Sequence, residues 1–208
     1  MRNVILILIL QILCALPVSA EEAVTEHMRW AVENGIVVGM QDGSLEPDGS
    51  VTRAQLAAML ERFFEPEAGE TPGSYSDVDE DDWFYPYAAS MSAAGIMIGD
   101  GDLWRPNDEV SREEAVTAVV RLAADDAVND GVPAGFSDAE EISDWAEGYV
   151  NTAAELGIIS AGEAEFRPKD TATRSELVLM LYNSRAYVYE NSLLPFIDED
   201  GSAWTPIY

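Results

Sequence analysis

The chain has 208 residues, 48% of them hydrophobic, with five tryptophans and a formal charge of -28 from 39 acidic and 11 basic side chains. So much apolar and aromatic material excludes a disordered chain. So negative a surface excludes DNA, RNA and anionic lipid as non-specific partners, because all are polyanions. The simplest account of the charge is solvation and self-repulsion outside the cell, with weak cation binding by acidic loops as the alternative.

In chain order, residues 1–20 carry one cation at Arg2, an apolar run from Val4 to Leu16 and a small-x-small ending at Val18-Ser19-Ala20. This pattern predicts a secretory signal peptide cleaved before Glu21, since the apolar run is too short to span a bilayer. Cleavage leaves an exported chain with no membrane segment and no cysteine, the single Cys14 lying inside the leader. The residues before Cys14 do not favour lipid attachment, and neither disulfides nor thiol chemistry is expected afterwards.

Three segments then align: "AVENGIVVGMQDGSLEPDGSVTRAQLAAML", "MSAAGIMIGDGDLWRPNDEVSREEAVTAVV" and "TAAELGIISAGEAEFRPKDTATRSELVLML". Gly35, Gly95 and Gly157 recur at intervals of 60 and 62, and Arg53, Arg112 and Arg174 at 59 and 62. One unit occurs three times, over 21–66, 75–126 and 136–188, and residues 189–208 remain as a tail.

In each unit a first helix ends at the glycine, where a left-handed residue closes the helix. An apolar link follows ("IVV", "IMI", "II"), predicted to be buried and extended. A turn-rich loop then places Leu45, Trp104 or Phe166 two residues before a proline. The second helix starts with a capping box, Thr52-x-x-Gln55, Ser111-x-x-Glu114 or Thr173-x-x-Glu176. Its buried stripe has helical spacing: Leu56, Leu60 and Phe63, then Ala115, Val119 and Leu122, then Leu177 and Leu181. The expected class is therefore mainly all-α, with helix-loop-helix units that must pack on one another.

Units two and three begin with an opening motif, "YSDVDEDDW" and "FSDAEEISDW", holding Asp77 with Trp83 and Asp138 with Trp145. Unit one lacks it. The tail "FIDEDGSAWTPIY" repeats it instead, with Asp198 two after Phe196 and Trp204 six after Asp198. Either this half-motif docks beside unit one and closes a three-fold arrangement, or it is a truncated fourth unit with no structural role.

The opening motif, the "GIxxG"-like helix exit, the "L/F/W-x-P" loop and the starts "TRAQ", "SREE" and "TRSE" together resemble the S-layer homology (SLH) domain family, across about residues 22–188 and the tail. The resemblance implies a pseudo-threefold bundle of paired helices whose grooves bind secondary cell-wall polysaccharide, often through a pyruvate ketal. It points to Arg53, Arg112 and Arg174 for the sugar carboxylate. It also points to Asp77, Asp138 and Asp198, to Trp83, Trp145 and Trp204, and to Gly39 and Gly99. Ala161 replaces the second exit glycine in unit three and Gln55 replaces the capping glutamate in unit one, so Arg112 is the arginine expected to bind best.

An arginine in the first turn of a helix opposes the helix dipole, and a planar fork that pairs both oxygens of a carboxylate would account for it. Helix-start amides would assist. The structural alternative is an ion pair with an acid of the neighbouring unit. The two tryptophans are read mainly as core with an edge in the groove, against sugar stacking, and the aspartates as caps or as sugar contacts. No metal or cofactor is expected: His27 has no partner residues for a site and aligns with Tyr87 and Tyr149, and "DVDEDDW" lacks the glycine and glutamate of a calcium loop. An enzyme is not expected either, since adjacent Glu113 and Glu114 do not form a tuned carboxylate pair. The leading expectation is a non-catalytic anchor of an exported protein at the bacterial cell surface. The alternative is a small surface-layer protein that recruits or assembles with other surface proteins.

Overall fold

The computed structural model describes residues 25–40, 43–64, 75–124, 128, 134–161 and 165–191. Residues 1–20 and the tail residues Phe196, Asp198 and Trp204 lie outside these. The described residues form six α-helices: α1 (Glu26–Glu33), α2 (Arg53–Phe63), α3 (Tyr85–Ala93), α4 (Arg112–Ala124), α5 (Asp144–Glu155) and α6 (Arg174–Asn191). A short 3-10 turn, Ala139–Glu141, precedes α5. The mainly all-α expectation is met, with only isolated bridges between loops.

Each unit contributes one short and one longer helix. The short helices α1, α3 and α5 stop where Gly35, Gly95 and Gly157 adopt φ of 69°, 71° and 70°. The longer ones start on their capping boxes. Gln55 N–H donates to Thr52 Oγ1, and Thr52 N–H donates back to Gln55 Oε1. The Ser111–Glu114 and Thr173–Glu176 boxes do the same. The apolar links are buried at their first two residues only; Val38 and Ile98 are 61% and 59% exposed. The extended link turns its third side chain outward, which corrects the expectation of a wholly buried triplet.

At the centre, three extended residues close a ring of backbone hydrogen bonds. Val51 N–H donates to Ala172 O (3.2 Å), Ala172 to Val110 O (2.8 Å), and Val110 to Val51 O (2.9 Å). Around this ring each short helix packs on the longer helix of the preceding unit: α3 on α2, α5 on α4, and α1 on α6. The last pairing joins the first unit to the third. Leu56, Leu60, Phe63, Val119, Leu177 and Leu181 are all buried in the shared core, each such side chain stabilising by about 1.5–3 kcal/mol. Leu122 is only half-buried.

A Cβ at Gly95 or Gly157 would meet no atom within 4 Å, so the cost of a side chain there is purely that of the left-handed backbone. Gly95→Ala and Gly157→Ala should each destabilise by about 1–2 kcal/mol. Thermal denaturation should report this as a drop of a few degrees, equal at the two sites.

Candidate functional site

The three arginines stand at equivalent places, and each reaches into the next unit. Arg53 Nε donates to Trp104 O (2.9 Å) and Nη2 to Ile98 O (2.9 Å). Arg112 Nε donates to Phe166 O (2.7 Å). Arg174 Nε donates to Leu45 O (2.9 Å) and Nη2 to Val38 O (3.3 Å). The guanidinium carbons of Arg53 and Arg112 also lie 5.2 Å and 5.3 Å from the ring centres of Trp104 and Phe166. The bulky residue before each loop proline therefore forms part of the arginine's seat. Trp104 and Phe166 are buried.

The first-turn amides are occupied. Arg53 and Ala54 N–H donate to Asp108 O and Pro106 O, Arg112 and Glu113 to Asp170 O and Pro168 O, and Arg174 and Ser175 to Gly49 O and Pro47 O. This corrects the expectation that helix-start amides assist an anion. The loop of the next unit takes them, which leaves the guanidinium edge as the anion-facing group.

The acid beside each arginine differs. Arg53 has Glu114 at a loose 4.0 Å. Arg112 is buried and pairs tightly with Glu176, which Arg167 also holds at 3.0 Å. By the same repeat, the position facing Arg174 is Gln55, and among the described residues Arg174 has no ion pair. The capping residue of one unit thus faces the arginine of the unit before it. Burial lowers the pKa of Arg53, partly offset by the Glu114 charge. It also lowers that of Arg174, where Glu46 offsets it and Arg62 adds to it.

Nine residues after each of the first two arginines comes another, missed by the sequence reading although it repeats at the same interval. Arg121 lies 5.0 Å over the Tyr149 ring and donates to Tyr149 Oη (3.2 Å) and Ile96 O (3.3 Å). Arg62 lies 5.6 Å over Tyr87. Unit three has Asn183 there, which donates to Ile158 O.

Arg53 and Arg121 converge on a groove of about 450 Å³ that Ile98, Gly99, Glu114 and Trp145 also line, so three predicted residues from three units, Arg53, Gly99 and Trp145, meet. Thr117 also lines it. Its hydroxyl is buried, with no hydrogen-bond partner among the described residues. Trp83 and Trp145 are 60% and 52% exposed, more than the core role expected of them. Trp83 packs edge-on against Phe84 and Tyr87 instead of entering the core.

The aspartates act on their own unit. Asp77 accepts Trp104 N–H and Arg105 N–H, both at 2.7 Å. Asp138 accepts Phe166 N–H (2.8 Å) and Arg167 N–H (2.6 Å). The clamped Arg105 and Arg167 have φ of 60° and 58°, a strained region for a side-chain-bearing residue. At Gly99 a Cβ would sit 2.5 Å from both Leu103 O and the Tyr75 ring, so glycine there is needed for the opening aromatic. Gly39 is less crowded, with Gly43 O and Ser44 O at 3.4 Å.

Glu113 and the histidine are engaged. Glu113 is buried, accepts Ser143 N–H (3.0 Å) and Ser143 Oγ–H (2.9 Å), and pairs with Lys169 at 2.5 Å. His27 Nε2 lies 3.0 Å and 3.1 Å from the hydroxyls of Thr25 and Ser175, tying α1 to α6. Among the described residues no group of acids, histidines or cysteines is arranged to hold a metal, and no helix is long and apolar enough to cross a membrane.

The family model for the S-layer homology domain matches residues 17–57, 74–116 and 135–178. The chain belongs to the S-layer homology domain family. The first match begins four residues inside the segment read as a signal peptide. Relatives include Exoglucanase XynX of Acetivibrio thermocellus, 38% identical over 71% of this chain and 14% of that protein. An Amylopullulanase of Thermoanaerobacterium thermosulfurigenes is 40% identical over 71% of this chain and 8% of its own length. The S-layer protein sap of Bacillus anthracis is 29% identical over 73% and 19%. The chain thus spans less than a fifth of each of these relatives. An SLH domain is an anchoring module without catalytic chemistry, and membership makes this a secreted, cell-wall-associated protein of the cell surface.

Burial pushes the Asp138 carboxyl up, but the Phe166 and Arg167 amides and the nearby Arg112 charge outweigh it and hold it below its ordinary 3.8. Its stabilisation is therefore present above about pH 4 and is lost as pH falls through the lower folded-state value. Asp138→Ala should cost about 1–3 kcal/mol by leaving two amides unpaired. Chemical denaturation at neutral pH should show the loss, and the gap to wild type should close at pH 2–3.

Proposed function

We propose that the chain holds an exported protein to the bacterial wall by binding secondary cell-wall polysaccharide, with residues 1–20 as its export signal. The recognised group is a carboxylate on the sugar, such as a pyruvate ketal. The carrying observation is the desolvated Arg53 guanidinium at a groove edge, with its facing acid Glu114 at a loose 4.0 Å; by the repeat, Gln55 takes that acid's position for Arg174, where Glu46 is the nearby charge. Burial disfavours each charge, and a ligand carboxylate would relieve that cost through charge-assisted hydrogen bonds of about 1.5–3 kcal/mol.

The grooves are unequal. That of Arg174 brings a second cation, Arg62, and faces Gln55. That of Arg53 adds Arg121 and the Thr117 hydroxyl but retains Glu114. In the third, Arg112 is already paired with Glu176, Asn183 replaces the second cation and Ala161 replaces the glycine. This reverses the expected order and puts Arg174 first, Arg53 second and Arg112 last. Trp83 and Trp145 supply exposed aromatic faces for the sugar ring. Asp77 and Asp138 act indirectly, by fixing the loops whose carbonyls seat the arginines. Asp198 and Trp204 would take the same two roles for the loop of unit one and the third groove.

Binding of purified pyruvylated wall polymer, read by calorimetry, should fall about tenfold to a hundredfold in Arg174→Ala and Arg53→Ala. In Arg112→Ala it should change much less. Glu114→Gln copies the capping chemistry of Gln55 and should tighten the Arg53 groove severalfold. Equal loss in all three alanine variants, or none, would contradict the ranking, and unchanged binding to polymer stripped of pyruvate would contradict the carboxylate.

A further inference from the structure

The joint between units three and one holds the chain's single histidine. Units two and three carry a tyrosine at its position, Tyr87 and Tyr149, and each of these rings lies under an arginine, Arg62 or Arg121, of the longer helix packed against it. Unit one has His27 there, and α6 has Asn183 in place of the arginine. One of three equivalent junctions therefore contains a side chain whose ordinary pKa lies near neutral.

His27 sits where unit one is held. Its Nε2 is 3.0 Å from Thr25 Oγ1 and 3.1 Å from Ser175 Oγ. Ser175 is the second residue of α6, and its amide and that of Arg174 donate to Pro47 O and Gly49 O of unit one. Arg174 itself is seated on Leu45 O and Val38 O. Ring, first turn and loop thus form one joint. The neutral ring can accept a hydroxyl proton at a bare Nε2, whereas the imidazolium has no acceptor left. Protonation also sets a cation against the first turn of an 18-residue helix, the positive end of its dipole. The charges around the ring do not reverse this. On α1, Glu26 favours the cation, but burial disfavours it more and holds the ring below its ordinary 6.5. Glu26 also accepts the hydroxyl proton of Tyr182 on α6. On either side of Ser175, Arg174 is turned to the carbonyls of unit one, and Glu176 is engaged by Arg112 and Arg167.

We propose that His27 makes the joint between units one and three a pH-sensitive latch, closed with the neutral ring and weakened when the ring is protonated. The unfolded chain takes up the proton around the ordinary 6.5 and the folded joint only at lower pH, so the latch is fully closed above that value and loosens as pH falls through it. An unfolded-state value of 6.5 also sets a ceiling: at pH 5.5 the opening equilibrium rises by no more than about tenfold. The junctions of Tyr87 and Tyr149 have no such group, so the loss falls on α1 and the start of α6. As a consequence, which alone rests on the proposed groove function, acidification slackens the seat of Arg174 before those of Arg53 and Arg112.

Amide hydrogen exchange on the full chain, without any sugar and corrected for intrinsic rates, tests the latch separately from polysaccharide binding. Between about pH 7.5 and pH 5.5, protection of the α1 amides should fall severalfold, up to about tenfold, while that of the equivalent α3 amides holds within about twofold. His27→Gln keeps a hydrogen-bonding side chain without a titrating ring and should abolish the difference. Equal change in α1 and α3, or a His27→Gln variant that still loses α1 protection, would overturn the proposal. A nuclear magnetic resonance titration of the His27 ring should give a midpoint below 6.5 in the wild type. A midpoint at or above that value would overturn it as well.

Discussion

The first two amides of α2, α4 and α6 donate to loop carbonyls of the following unit, and the arginine beside them does the same with its Nε. A cation in the first turn of a helix costs roughly 0.3–1 kcal/mol against the dipole. A hydrogen bond from a charged donor contributes about 1.5–3 kcal/mol, and Arg53 and Arg174 make two such bonds each to carbonyl oxygens. The second term wins, so the arginine is tolerated at a position that would otherwise reject it. The same contacts orient one unit against the next, and the ring of Val51, Ala172 and Val110 hydrogen bonds lies at their centre. Stability and the binding edge therefore share their residues.

That sharing creates a conflict the three units resolve differently. A glutamate in the capping box completes the helix start, but it also stands opposite the arginine of the preceding unit and competes with any ligand carboxylate. Glu176 takes the arginine outright, Glu114 stands off, and Gln55 keeps the cap without the charge. A buried, closely paired guanidinium such as Arg112 is expensive to expose again. The three-fold repeat is thus a scaffold on which one position grades the grooves from open to closed.

Much of this was legible in the sequence because it is local. The glycine helix ends, the capping boxes and the buried stripes each follow from residues within one turn of one another, and all three copies agree. What escaped lies between units. Gln55 looks like a weakness of the Arg53 site when read along the chain, but by the repeat its position is the one that faces Arg174. Asp77 and Asp138 look equally suited to a sugar, and only the loop amides 27 to 29 residues away reveal the clamp. Trp83 and Trp145 carry enough apolar area for a core, yet Trp104 and Phe166 already fill that space and leave them outside. Arg62 and Arg121 were visible as a repeat at +9 and needed only the groove to give them meaning.

The most direct test of unequal grooves is a nuclear magnetic resonance titration that follows the arginine Nε–H signals as a pyruvate-ketal amino sugar is added. The signals of Arg174 and then Arg53 should move and saturate, with Arg174 saturating first, while that of Arg112 stays in place. Movement of Arg112 ahead of the other two, or no movement of any of the three while the sugar binds elsewhere, would contradict the account.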